Sequence, residues 1–198
     1  MTAAAMSPAP SVDLVLALGD TTFDLRWRAL VAAVVPAPRF GREGEVVAGV
    51  RTARDAGADL ADVSLSPRLI GPAAGAGLVP VLVRATSVDE AAAARRAGAG
   101  LVLVRADIVA DVAAGSGPVA LLVDDVAHLD HARAVAEHHG IALAIDVAGR
   151  PPADATAIES AGIARGCRVV CTADVRRTRR VVETLAALLE ARREVPGP

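Results

Sequence analysis

Arginines stand at or just beyond four apolar runs of the sequence, at Arg39, Arg68, Arg84 and Arg105, and aspartates follow later ones, at Asp124, Asp125, Asp146 and Asp174. Guanidinium groups bind carboxylates and phosphates through a planar fork of donors, so such a set could hold a zwitterionic or phosphorylated small molecule. The same charges could instead neutralise one another and close the site. The sequence leaves both outcomes open. His128, His131, His138 and His139 fall on one helical stretch, and His128 and His131 are one turn apart. A metal could use that spacing, but solvated surface histidines are the expectation. Asp107 and Asp111, also one turn apart, read as charges near a helix N-terminus.

The residue types that are missing exclude more than those present suggest. The 198 residues contain no lysine, asparagine, glutamine or tyrosine, and all 21 basic residues are arginine. A Schiff-base lysine, a P-loop lysine, a carboxamide metal ligand and a tyrosine acid are therefore impossible in this chain. A net charge of −2 gives no reason to expect nucleic acid or an anionic membrane as partner. No apolar stretch approaches the roughly 20 residues of a membrane span. Cys167 and Cys171 share one strand-like run, which places their Cα atoms about 13 Å apart. A disulfide needs less than about 7 Å. Free buried thiols in a reducing, cytoplasmic setting are expected.

These groups need elements to position them. Val12–Leu18, Gly19-Asp20 and Thr21–Leu25 read as a hairpin. Seven apolar strand segments follow: Ala29–Val35, Leu60–Leu65, Val79–Ala85, Leu101–Arg105, Val119–Asp124, Ala142–Val147 and Arg168–Ala173. Helical stretches separate them at Gly44–Ala56, Val88–Ala97, Ile108–Ala114, Ala127–His139, Ala153–Ala164 and Asp174–Arg193. The strands are continuously apolar, as in a parallel sheet buried on both faces. Leu69–Gly77 reads as an irregular turn. Met1–Pro10 reads as a disordered tail without the features of a signal peptide, and residues 11–195 as one α/β domain. The length falls short of the about 250 residues usual for an eight-stranded barrel, and an open doubly wound sheet competes with closure. Trp27 is expected to cap the bottom of the barrel. The last helix carries Val175, Val181, Val182, Leu185, Leu188 and Leu189 on one face, with Arg176, Arg177, Arg179, Arg180, Arg192 and Arg193 on its other side.

In order along the chain, several segments resemble the dihydropteroate synthase family. Gly19-Asp-Thr-Thr-Phe-Asp-Leu25, with Leu30–Val35 and Pro38, is similar to the family's opening hairpin and first strand. Gly57-Ala-Asp-Leu-Ala-Asp-Val63 through Ser66-Pro67-Arg68 resembles its Gly-Ala-Asp-x-x-Asp-Val segment. Val79-Pro-Val81 to Thr86, Gly98-Ala-Gly-Leu-Val-Leu-Val104, Ile145-Asp146, and Arg165-Gly-Cys-Arg-Val-Val170 to Asp174-Val175 resemble later strands. The resemblance implies a pterin-binding TIM-type barrel, here shortened to about seven strands, and a transferase activity in folate biosynthesis.

The departures from that pattern set the functional expectation. The position of the family's metal-binding Asn falls near Val35, so the magnesium that the resemblance implies loses a ligand. The family's Asp after the third strand falls at Arg84, and its Asn-Asp pair at Leu103 and Val104. The Arg and His of the closing strand fall at Cys171 and Ala173. The catalytic lysine is absent, and either the strand that bears it or the Asp-Pro-Gly strand is deleted. Asp62, Arg68, Asp146 and Asp174 survive as substrate-site residues, with Asp146 implied to accept hydrogen bonds from a pterin, and Arg39 and Arg84 add to them. A degenerate synthase homologue, a pseudoenzyme retained for binding or partnership, is the leading expectation. Its rivals are an enzyme for another small anionic or phosphorylated substrate, and a non-catalytic subunit of a true synthase. The family's dimers form through late helices, which implies a homodimer or heterodimer through the C-terminal helix.

Overall fold

The computed structural model describes residues 15–26, 28–39 and 41–194. The Met1–Pro10 tail, the start of the first strand, Trp27, and the side chains of Arg192 and Arg193 lie outside the described residues. Two antiparallel strands, β1 (Val15–Leu18) and β2 (Thr21–Asp24), turn at Gly19-Asp20 and form the N-terminal hairpin. Seven parallel strands then close into a barrel: β3 (Leu30–Val34), β4 (Leu60–Asp62), β5 (Val81–Arg84), β6 (Leu101–Val104), β7 (Val119–Val123), β8 (Ala142–Asp146) and β9 (Cys167–Thr172). Each strand neighbours the next in sequence, and β9 pairs with β3 to complete the ring. Closure decides against the open doubly wound sheet. It is what consecutive right-handed βα units produce when no strand reverses the order.

Helices α1 (Glu43–Asp55), α2 (Ile70–Gly75), α3 (Val88–Arg96), α4 (Val109–Ala113), α5 (Leu129–His139), α6 (Pro152–Ala164) and α7 (Val175–Glu194) cover the outside. Leu69–Gly77 is more regular than expected: a 3-10 turn at Pro67–Leu69 leads into α2. Pro67 occupies the first turn, where a missing N–H costs nothing, so the proline starts this element and does not break it. At the other end of a helix, Gly140 takes φ 64° and closes α5, a conformation that glycine adopts without steric penalty.

Strand side chains alternate in direction, so each strand feeds two cores. Val31, Ala61, Val83, Val102, Leu121, Ile145 and Val170 point outward beneath the helices. Leu30, Leu60, Leu82, Leu101 and Leu103 fill the inside together with Ala32, Ala120, Ala142 and Ala144. A seven-stranded barrel is narrower than one of eight, and the alanines of β7 and β8 leave the room that the leucines of β4 to β6 occupy. The bottom is corked from the hairpin and its exit by Leu18 and Leu25, with Leu16 and Phe23 beside them.

The outer shell has its own buried ionic contact. Glu159 of α6 is fully buried and meets Arg177 of α7 in a two-pronged pair at 2.9 and 3.0 Å, while Thr178 donates to it at 2.6 Å. The α7 face divides: Val175 and Val182 are buried, whereas Leu188 and Leu189 are 58% and 42% exposed.

Leu25 is fully buried, so truncating it opens a void at the bottom of the barrel. Leu25→Ala is expected to lower unfolding stability by about 3 kcal/mol, read as a reduced urea midpoint with an unchanged slope.

Candidate functional site

At the C-terminal ends of the barrel strands, the inward rows switch from apolar to charged. Leu60 is followed two residues on by Asp62, Leu82 by Arg84, and Ala144 by Asp146. Period two therefore carries all three charges toward the inside of the mouth. Arg84 spans it. Its Nε donates to Asp62 Oδ2 at 2.9 Å, its Nη2 lies 2.7 Å from the same oxygen, and its Nη1 donates to Asp146 Oδ2. Asp62 is 2% exposed, and Arg84 and Asp146 about a quarter.

The two carboxylates are held from behind. Asp62 Oδ1 accepts from the Ser64 backbone N–H at 3.0 Å and from the Ser64 hydroxyl, and the Arg84 backbone N–H donates to Ser64 Oγ at 2.8 Å. Asp146 Oδ1 accepts from the Ala148 N–H at 2.9 Å. Both are Asx turns, in which a short carboxylate folds back on the backbone two residues on. Past Arg84, Ser87 accepts from the Glu90 N–H at 3.2 Å, and Glu90 reaches back to the Thr86 N–H at 2.8 Å. These reciprocal contacts, in which the glutamate accepts from the residue before the N-cap Ser87, fix the start of α3 and so the exit of β5.

Burial alone would lower the pKa of Arg84. The hydrogen bond to Asp146 and the charge of Asp62 outweigh it, and the guanidinium is held above its ordinary range. The arginine is permanently charged and cannot serve as a base. Beneath it, the Cys171 thiol is raised well above its ordinary value by burial first, then by the charge of Asp62. Cys167 is pushed up to about 12 by burial, opposed by Arg168. Both thiols are free and buried, as expected from their spacing, and burial disfavours the nucleophilic thiolate form of each.

The remaining expected site residues are not brought to this cluster. Arg39 and Arg68 are exposed and make no ion pair with a described residue. Asp174 caps α7 by accepting from the Arg177 N–H at 3.1 Å. Arg105 and Asp124 pair at 3.3 Å on the rim, both more than half exposed. Beside them a cavity of about 190 Å3 lies between β7 and α5, lined by Leu121, Val123 and Ala132 together with His128 and His131. Both histidines are exposed. Among the described residues no group of three or more His, Cys, Asp or Glu could hold a metal ion. Magnesium does not fit the mouth either: it needs several free oxygen ligands, and Asp62 and Asp146 already serve a guanidinium and backbone donors. Ser64 is the site residue that sequence reasoning missed. The signal available was its place two residues after Asp62, where an Asx turn puts it.

No family model matches the sequence, and no curated protein matches it. Solved structures do match. The dihydropteroate synthase of Stenotrophomonas maltophilia with active site-bound imidazole superposes with a TM-score of 0.64 at 20% identity, over 92% of this chain and 99% of that one. The Burkholderia cenocepacia dihydropteroate synthase gives 0.64 at 16% identity, over 92% and 98%. The Yersinia pestis enzyme with a pterine-sulfa conjugate gives 0.64 at 14% identity, over 89% and 100%. The chain has the dihydropteroate synthase fold. The resemblance read from the collinear segments is thus met at the level of architecture, in a barrel of seven strands.

The two buried thiols, Cys171 inside the barrel and Cys167 in the outer core, give a pH test. Their pKa values are raised on folding, so their stabilising contribution is complete below the ordinary value of 9.0 and is lost as pH rises toward about 12. With no lysine or tyrosine in the chain, the ionisation of these thiols in the unfolded state, near their ordinary value, is what sets the pH dependence of stability between pH 9 and 11. The urea midpoint is expected to fall through that interval, and the double variant Cys167→Ala/Cys171→Ala to flatten the dependence.

Proposed function

We propose that this protein is a catalytically degenerate relative of dihydropteroate synthases, tied to folate biosynthesis by descent and serving by binding or partnership without turnover. The observation that carries the reading is Arg84. Its guanidinium occupies the mouth of the barrel between Asp62 and Asp146, and so takes up the carboxylate that the resemblance assigns to a pterin. An acidic residue is expected at this position by the same resemblance, so a single change of sign both removes one acceptor and fills the space it faced. Transfer onto p-aminobenzoate with loss of pyrophosphate needs cationic donors at the leaving group. Lysine is absent from the whole chain, and Arg39 and Arg68 point to no common partner.

A second reading, a non-catalytic subunit of a true synthase, is supported by the exposed Leu188 and Leu189 near the end of α7. Copurification with a co-expressed synthase as a 1:1 complex, lost on Leu188→Asp, is its test.

The purified protein is expected to form no dihydropteroate from p-aminobenzoate and 6-hydroxymethyl-dihydropterin pyrophosphate, with or without magnesium. Calorimetry with the pyrophosphate is expected to give no saturable heat up to millimolar ligand. Turnover would sink the reading, and micromolar binding that Asp146→Ala abolishes would overturn the closure of the mouth by Arg84.

A further inference from the structure

The Asp62–Asp146 pair has the construction of a receptor. One carboxylate is 2% exposed, a site at which a charge without a partner is strongly disfavoured. Each is oriented from behind, Asp62 by Ser64 and Asp146 by the Ala148 N–H, so that its other oxygen faces the centre of the mouth. Two oxygens from opposite sides of the ring, Asp62 Oδ2 and Asp146 Oδ2, converge on one planar N–C–N group. Arg84 donates to them through three different nitrogens, Nε and Nη2 on one side and Nη1 on the other. A point cation on a flexible stem cannot reproduce that division, because its donors radiate from a single nitrogen.

The carboxylates owe their positions to β4 and β8 and to their own Asx turns. Of these hydrogen bonds only the one from the Arg84 backbone N–H to the Ser64 hydroxyl involves β5, and it uses the main chain of Arg84, which a substitution of the arginine side chain leaves in place. The placement of the two carboxylates is therefore independent of the arginine side chain, while removing that side chain leaves their charges in need of another cationic partner. Arg84 and Asp146 are each about a quarter exposed, so the group has access to solvent.

We infer that the barrel mouth is a binding site for planar guanidine- or amidine-type cations, occupied in cis by Arg84, and that shortening this side chain opens it to such cations from solution. The inference rests on the reading of the mouth as closed by Arg84. It defines what chemistry could enter the site: a flat cation presenting donors on two edges, not an anion and not an ammonium.

The test compares the wild type, Arg84→Ala and Arg84→Ala/Asp146→Asn by thermal unfolding, with methylguanidine as probe and methylammonium as control. At ten times its dissociation constant, methylguanidine is expected to raise the melting temperature of Arg84→Ala by about 3–6 °C. It should leave the wild type and the double variant unchanged, and methylammonium should leave all three unchanged. An unresponsive but folded Arg84→Ala would overturn the inference, and so would equal stabilisation by methylammonium, which would mean charge alone is read. Where Arg84→Ala does not fold unaided, refolding from urea gives the same decision. Recovery of the helical signal with methylguanidine and not with methylammonium supports the site; recovery with both or neither rejects it. Failure here leaves the wild-type assays for turnover and pterin binding untouched, so the two readings stand or fall separately.

Discussion

Three charges set at the inner end of a barrel would repel water-free packing unless they satisfied one another, and the arrangement at the mouth follows from that requirement. Asp62 has almost no solvent contact. Its ionisation is tolerable only with a full set of donors, which a buried ion pair must supply to offset desolvation. Ser64 and its backbone provide them on one oxygen and Arg84 on the other. Arg84 in turn requires Asp146, and Asp146 is anchored by its own turn. Removing any one member leaves another charge without its partner.

The same constraint connects the mouth to the floor. Inward rows that end in charge above must be apolar below, and the narrow seven-stranded ring sets how much volume they may bring. Leucines on β4, β5 and β6 face alanines on β7 and β8. The hairpin supplies what the strands lack, with Leu18 and Leu25 entering from underneath. The result is a barrel sealed at one end by hydrophobic contact and at the other by electrostatics.

Much of this architecture was legible in the sequence because burial on two faces leaves an unambiguous mark. Continuous apolar runs such as Leu101–Arg105 and Val119–Asp124 located the strands, and the ends of those runs set Arg84 and Asp146 among the charges of the mouth. The partners were not legible. Arg84 lies 22 residues from Asp62 and 62 from Asp146, and alternation says which face a side chain takes, not which strand sits opposite after closure. Arg39 and Arg68 share the composition of a binding site but fall on exposed turns. Glu159 was silent for a related reason: its helix, α6, has buried positions of mixed polarity, and only the approach of Arg177 from α7 makes a carboxylate acceptable there. The Leu188–Leu189 end of α7 continues the apolar stripe beyond the part of the helix that the barrel covers, so periodicity overstated its contact.

Closure of the ring has a topological result. A strand at the margin of an open sheet presents a row of unsatisfied amides and carbonyls, a template on which another chain can add. Here β3 and β9, first and last in the barrel, use theirs on each other. No strand of the ring can be peeled away without breaking two ladders at once, so the sheet has no weakest margin from which to fray, and a ring of seven strands avoids exposing an edge as fully as a larger one.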